Sequence, residues 1–210
     1  MVLWRRRHFI AAVLGSSYLS ARAAPARTIV VVGDSLSAEY GLKRGEGWVA
    51  LLEKRLADRK IAAKVINASI SGDTTSGGRS RLPALLAQHH PDIVVIELGG
   101  NDALRGLPLS MTEQNIAAMT EQAQKAGARV LIVGVQVPPN YGADYTQQFE
   151  AIFPKVAKAH KAPWVPSLLK GVGDGPDADN IFQADRIHPK AQAHPRMLDN
   201  VWPELSKLLK

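Results

Sequence analysis

Short runs of β-branched and aliphatic residues alternate along the chain with longer stretches in which apolar positions recur every three or four residues. Residues 28–33 (TIVVVG) predict a buried strand. Residues 47–59 carry apolar side chains at 48, 49, 51, 52 and 56, which is helical spacing. Residues 64–68 predict a short strand, and 76–88 a helix despite Pro83. Residues 92–98 (DIVVIEL) predict a second continuous apolar strand. A helix is expected over 112–126, with Thr112 as N-cap and Gly127 as its stop. Residues 129–136 (RVLIVGVQ) predict a strand, 144–161 a helix and 163–166 a short last strand. A C-terminal helix within 189–210 is interrupted by Pro195 and Pro203. Strands alternating with helices imply βαβ units and a parallel sheet, and the unbroken apolar runs imply strands covered on both faces. One α/β domain over residues 27–210 is the simplest organisation.

Composition changes the picture in two places. The 210 residues include no cysteine, which excludes a disulfide scaffold, a cysteine nucleophile, a thiolate zinc site, an iron–sulfur cluster and a lipid-modified cysteine. The formal charge of +7, from 26 Lys+Arg against 19 Asp+Glu, is weighted to the start of the chain. Arg5, Arg6 and Arg7 precede an apolar stretch at 9–14 and then small residues at 21–26. That layout predicts a secretory signal over residues 1–26, cut after Ala23 or Ala26, and a periplasmic or secreted protein. The apolar stretch falls short of the ~20 residues that span a bilayer. Arg6-Arg7-His8-Phe9-Ile10 loosely fits a twin-arginine signal as well, so both export routes stay open. Cleavage removes four arginines (5, 6, 7 and 22) and no acid, leaving 22 basic against 19 acidic residues, a charge of +3. Without a basic block interleaved with aromatics, no nucleic-acid partner is expected.

In open parallel sheets ligands bind beyond the carboxyl ends of the strands, so the loops there are the places to search. The first strand leads into Gly33-Asp34-Ser35-Leu36, the second into Ser69-Ile70-Ser71-Gly72, and the third into Gly99-Gly100-Asn101-Asp102. Asp185-Arg186-Ile187-His188 lies near the C-terminus. This is the inventory of an acyl-transfer site. Ser35 is the candidate nucleophile and His188 the base it needs. Asp185, three residues earlier, is placed to fix the imidazole tautomer. The backbone N–H groups of Ser35 and Gly72 and the Asn101 amide are candidate oxyanion donors.

Taken singly, each has a plainer reading: Ser35 and Asn101 as turn formers, Gly72 as a hinge, Asp185 as an N-cap for the last helix. The histidines discriminate. His8 falls in the signal, His89 and His90 sit at a helix end, and His160 and His194 lack an acid three residues before them. Other chemistries lack their motifs: there is no G-x-S-x-G, no phosphate loop and no G-x-G-x-x-G after the first strand. Residues 174–179 (DGPDAD) lack calcium-loop spacing and read as a solvated loop. Loops 103–109 and 137–145 are rich in Leu, Pro, Val and Tyr, which makes Leu109, Val137 and Pro138 candidate substrate-binding residues of an acyl groove.

Gly33-Asp34-Ser35-Leu36, Gly72, Gly99-Gly100-Asn101-Asp102 and Asp185–His188 together resemble the SGNH (GDSL) hydrolase family. GDSLSAEYGL, VINASISGDTTSGG, RLPALLAQHHPDIVVIELGGNDALRG and PPNYG are similar to its bacterial periplasmic acyl-CoA thioesterase I / lysophospholipase L1 / arylesterase group. The resemblance covers about 28–188. It implies a flavodoxin-like three-layer α/β/α sandwich with a five-stranded parallel sheet. It also implies Ser35, His188 and Asp185 as the triad, Ser35, Gly72 and Asn101 as the oxyanion hole, and no cofactor or metal. Expected substrates are small acyl esters and thioesters: aryl esters, long-chain acyl esters, lysophospholipids and acyl-CoA. A monomer in transient contact with lipid surfaces is expected. Glu39 stands where the group commonly has a glycine, and a carboxylate beside the nucleophile loop is expected to repel anionic leaving groups such as CoA. Two alternatives are a carbohydrate O-deacetylase on the same scaffold and a non-catalytic binding module that kept the fold.

Overall fold

Five short strands carry the architecture: β1 (Arg27–Gly33), β2 (Ala63–Asn67), β3 (Ile93–Glu97), β4 (Arg129–Val133) and β5 (Trp164–Val165). Each pairs in parallel with its neighbours in the order β2-β1-β3-β4-β5. The computed structural model describes residues 26–137, 139–173 and 178–210. The expected signal apart from Ala26, the candidate Pro138, and residues 174–177 of the acidic loop lie outside them.

Alternate strand residues point to opposite faces, and here both faces are covered. Val30, Val32, Val94, Ile96, Val130 and Ile132 pack beneath helices α2 (Thr75–His89), α4 (Leu109–Lys125) and α5 (Ala143–Ala159). Ile29, Val31, Ile93, Val95, Leu131 and Val133 pack beneath α1 (Trp48–Asp58) and α7 (His194–Leu208). The result is the expected three-layer, flavodoxin-like sandwich. Strand order reverses about β1 and β3, which opens a crevice beyond their carboxyl ends.

Several expected boundaries move, each for a local reason. α4 begins at Leu109, not at Thr112, and its N-cap is Pro108. Thr112 is instead fully buried within the first turn, with its hydroxyl aimed at Asp102 (3.4 Å). β4 stops at Val133, and the next residue, Gly134, lies so close to Pro166 that any side chain there would strike the Pro166 carbonyl. Beyond it Val135–Val137 leave the sheet. α3 (Gly100–Leu104) and α6 (Ala178–Ile181) have too few residues to show a period. α7 starts at His194, so Pro195 occupies the first turn, where no backbone donor is required. His194 is buried and its Nδ1 accepts the Trp48 N–H at 3.0 Å, holding the start of α1.

Candidate active site

β1 ends at Gly33 and the chain turns at once. Ala38 N–H donates to the Asp34 carbonyl (2.9 Å), and the Leu36 N–H to Asp34 Oδ1 (3.0 Å). This places Ser35 at the crest of the turn, lining a cavity of about 590 Å³. Underneath, the Ser37 hydroxyl donates to Glu97 Oε2 at 2.6 Å and accepts from Trp48 Nε1 at 3.0 Å. A Cβ on Gly33 would lie 2.8 Å from Ser37 Cβ and 2.9 Å from Glu97 Oε2, so only glycine permits this approach. Glu97 is fully buried, and its Oε1 has no hydrogen-bond partner. Burial first, and then the Asp34 carboxylate, push its pKa well above the usual carboxylate range, so the fold favours its protonated form.

His188 reaches the crest from the other side. Residues 183–188 form a tight loop, with Gln183 N–H on the His188 carbonyl (2.8 Å) and Arg186 N–H on the Gln183 carbonyl (2.9 Å). Asp185 Oδ1 accepts the backbone N–H groups of Ile187 and His188, both at 3.0 Å, and Oδ2 lies 2.7 Å from His188 Nδ1. Burial disfavours the Asp185 charge, but the two backbone donors and the imidazole outweigh it and hold the pKa at about 2. An ionised carboxylate can only accept, so Nδ1 carries the ring proton and Nε2 is left as an acceptor. That nitrogen is 2.7 Å from Ser35 Oγ. Asp185 is therefore no N-cap for the last helix, which begins nine residues later with Ala193 as its N-cap.

One hydrogen bond and one ring contact join the two loops, and a second bond from Gln183 stays within its own. Gln183 Nε2 donates to the Tyr40 carbonyl (2.9 Å) and the Pro189 carbonyl (3.3 Å), and the Tyr40 ring lies 4.4 Å from the imidazole, centroid to centroid.

Gly72 and Asn101 line the same cavity. Gly72 has φ +79, and an added Cβ would meet only Arg105 Nη2 at 3.7 Å, so conformation rather than space calls for glycine. Asn101 Nδ2 donates to Asp34 Oδ2 at 3.1 Å. Its neighbour Asp102 is buried and accepts the Thr75 N–H (2.8 Å) and hydroxyl, which pins α3 to the start of α2. The structure thus brings Ser35, His188, Asp185, Gly72 and Asn101 to one cavity mouth. Tyr40, Leu104, Val135, Val137, Val172 and Phe182 give it an apolar wall.

Two expectations need correction. Leu109 does not line the cavity: it opens α4 and packs on the core, while Leu104 of α3 faces the cavity instead. Glu39 adopts φ +59, the conformation in which glycine is the usual residue, and its carboxylate is taken up by the loop that follows it. Oε1 accepts the N–H groups of Gly45 (3.0 Å) and Gly47 (2.9 Å) and bridges that loop. Sequence reasoning missed Asp34, Glu97, Tyr40 and Gln183. Only Glu97 left a signal, as an acid inside an otherwise unbroken apolar strand, where a charge must be paired or neutralised.

The GDSL-like Lipase/Acylhydrolase family model matches residues 31–196. Esterase TesA of Pseudomonas aeruginosa is 53% identical over 186 residues, 89% of this chain and 91% of that protein. Thioesterase 1/protease 1/lysophospholipase L1 of Escherichia coli K12 is 41% identical over 191 residues, 91% of this chain and 89% of that protein. A crystal structure of TesA superposes with a TM-score of 0.83 at 52% identity, covering 87% of this chain and 99% of that one. The chain belongs to the GDSL-like lipase/acylhydrolase family and is an ester hydrolase.

Proposed function

We propose that Ser35, His188 and Asp185 act as nucleophile, base and orienting acid in hydrolysis through an acyl-enzyme. The observation that carries this reading is the continuous relay from Asp185 Oδ2 through the imidazole to Ser35 Oγ, with both links 2.7 Å, opening on an apolar cavity. Ser35 Oγ attacks the acyl carbonyl as its proton passes to His188 Nε2. The Asp185 carboxylate stabilises the imidazolium. The tetrahedral oxyanion sits among the N–H groups of Ser35 and Gly72 and the Asn101 amide. The imidazolium then protonates the departing alcohol or thiol, and water releases the acyl group by the same route.

The substrates proposed are aryl esters, long-chain acyl esters, lysophospholipids and acyl thioesters. The names of the TesA and E. coli relatives support esters, thioesters and lysophospholipids. The Glu39 carboxylate, tied to its own loop, gives no reason to exclude CoA leaving groups. Tyr40, Leu104 and Ile187 are exposed large apolar side chains that line the cavity. Their position supports transient contact with lipid surfaces by a monomer. Residues 1–26 support export to the periplasm or beyond.

A chain-length series of p-nitrophenyl esters, beside acyl-CoA and lysophosphatidylcholine with Ser35→Ala as blank, tests the reading. Hydrolysis extending to long chains, with Val137→Asp shifting the preference to short ones, is expected. Absence of ester hydrolysis by the wild-type protein contradicts it.

A further inference from the structure

We infer that Asp34 is a positioning residue that sets the direction of the Asn101 amide, so that a donor rather than an acceptor faces the oxyanion. The argument rests on the acyl-transfer reading above and on what each group can do chemically. A carboxamide presents an NH₂ on one side and a carbonyl oxygen on the other, and rotation by half a turn exchanges them. If the oxygen faced the oxyanion, the third donor would become a repulsive partner. An ionised carboxylate accepts and never donates, so it can hold only the NH₂.

Asp34 sits where this constraint works. It is 2% exposed and lines the cavity. Oδ1 is fixed by the Leu36 N–H at 3.0 Å, and Oδ2 takes one Asn101 N–H at 3.1 Å. That leaves the second N–H of the same nitrogen for the cavity. The two residues lie at the ends of β1 and β3, across the crevice where strand order reverses. One contact therefore couples the nucleophile turn to the opposite wall of the site.

The charge state of Asp34 matters for the same reason. A protonated carboxyl can donate to an amide oxygen and so stabilise the reversed amide. Burial foremost raises Asp34 to about 6, against the Leu36 and Asn101 donors. A positive charge on His188 would favour the Asp34 anion, Asp73 opposes it, and Glu97 lies beneath with its own pKa raised by burial.

A double-mutant cycle in kcat with a soluble p-nitrophenyl ester decides the matter. Asn101→Ala is expected to lower kcat by ~10²–10³. Asp34→Ala is expected to lower kcat by about tenfold or more with KM within about twofold, and Asp34→Asn, which keeps one acceptor oxygen, to recover part of that loss. In the double variant the Asp34→Ala loss should vanish, leaving the rate of Asn101→Ala alone. The acid limb of log kcat should lose one ionisation in Asp34→Asn. Losses that multiply in the double variant, or an Asp34→Ala kcat equal to wild type, would overturn the proposal. If Asp34→Ala does not fold, as read by circular dichroism, the same cycle run with Asp34→Asn decides by the same criterion. A near-wild-type Asn101→Ala would instead overturn the oxyanion reading itself, so the two failures are distinct.

Discussion

The two halves of the site are built on different principles. The half that holds Ser35, Gly72 and Asn101 grows out of the sheet. Its loops are bound to buried groups: Asp34 is 2% exposed, while Glu97 and Asp102 are fully buried. The half that holds His188 is a surface loop whose geometry is almost entirely local. Asp185 organises it through three contacts to residues two and three positions on, and Gln183 moors it to the Tyr40 and Pro189 carbonyls. The difference teaches how the requirements divide. On the proposed reading, nucleophile and oxyanion donors share one frame built on buried groups, where small displacements are costly, and the base needs only a correct tautomer and aim, which one short loop supplies.

The largest effects should ignore this division. Ser35→Ala and His188→Ala are each expected to lower kcat for a p-nitrophenyl ester by ~10⁴ or more, with unfolding midpoints near wild type. A residual rate within tenfold of wild type for either would separate that residue from the chemistry.

The next effect belongs to the sheet-built half. Asp34 keeps its proton in the fold up to about pH 6, whereas an ordinary aspartate carboxyl loses it near 3.8. The folded state thus binds more protons than the unfolded chain across that window, and stability falls as pH rises through it, by up to ~3 kcal/mol. Urea unfolding at pH 4 and pH 7 should show this loss in the wild type and a smaller one in Asp34→Asn. Asp185 works with the opposite sign: held at about 2, it adds stability above 3.8 that is lost as pH falls through its folded value. An equal pH dependence in wild type and Asp34→Asn would contradict the burial argument.

The smallest effect sharpens the comparison from the other side. Gln183→Ala removes two hydrogen bonds that aim the base loop, and is expected to lower kcat by about tenfold, each bond contributing on the order of 1 kcal/mol. At about 2–4 °C per kcal/mol for a domain of this size, the thermal midpoint should fall by no more than about 8 °C. A large drop in the midpoint with unchanged kcat would make this half structural instead.

What the sequence disclosed follows the same line. The strands were legible because both faces are buried, which leaves unbroken apolar runs such as 29–32 and 93–96. The candidate residues were legible because the topology puts functional loops at strand ends, and because Asp185 and His188 meet through backbone spacing alone. Contacts between distant segments were not legible. Asp34 meets Asn101 across 67 positions, and Gln183 meets Tyr40 across 143, with no local pattern to mark either. Leu109 was misplaced because the five residues of α3 redirect the chain before it. Glu39 was misread because its backbone conformation, not its charge, explains the glycine it replaces.

Covalent labelling tests the central claim most directly. Incubation with an organophosphonate ester, followed by peptide mapping in a mass spectrometer, should place one adduct on Ser35. The rate of labelling should collapse in His188→Ala, and Ser35→Ala should take up no label. An adduct on another serine, or labelling that persists at the wild-type rate in Ser35→Ala, would contradict the account.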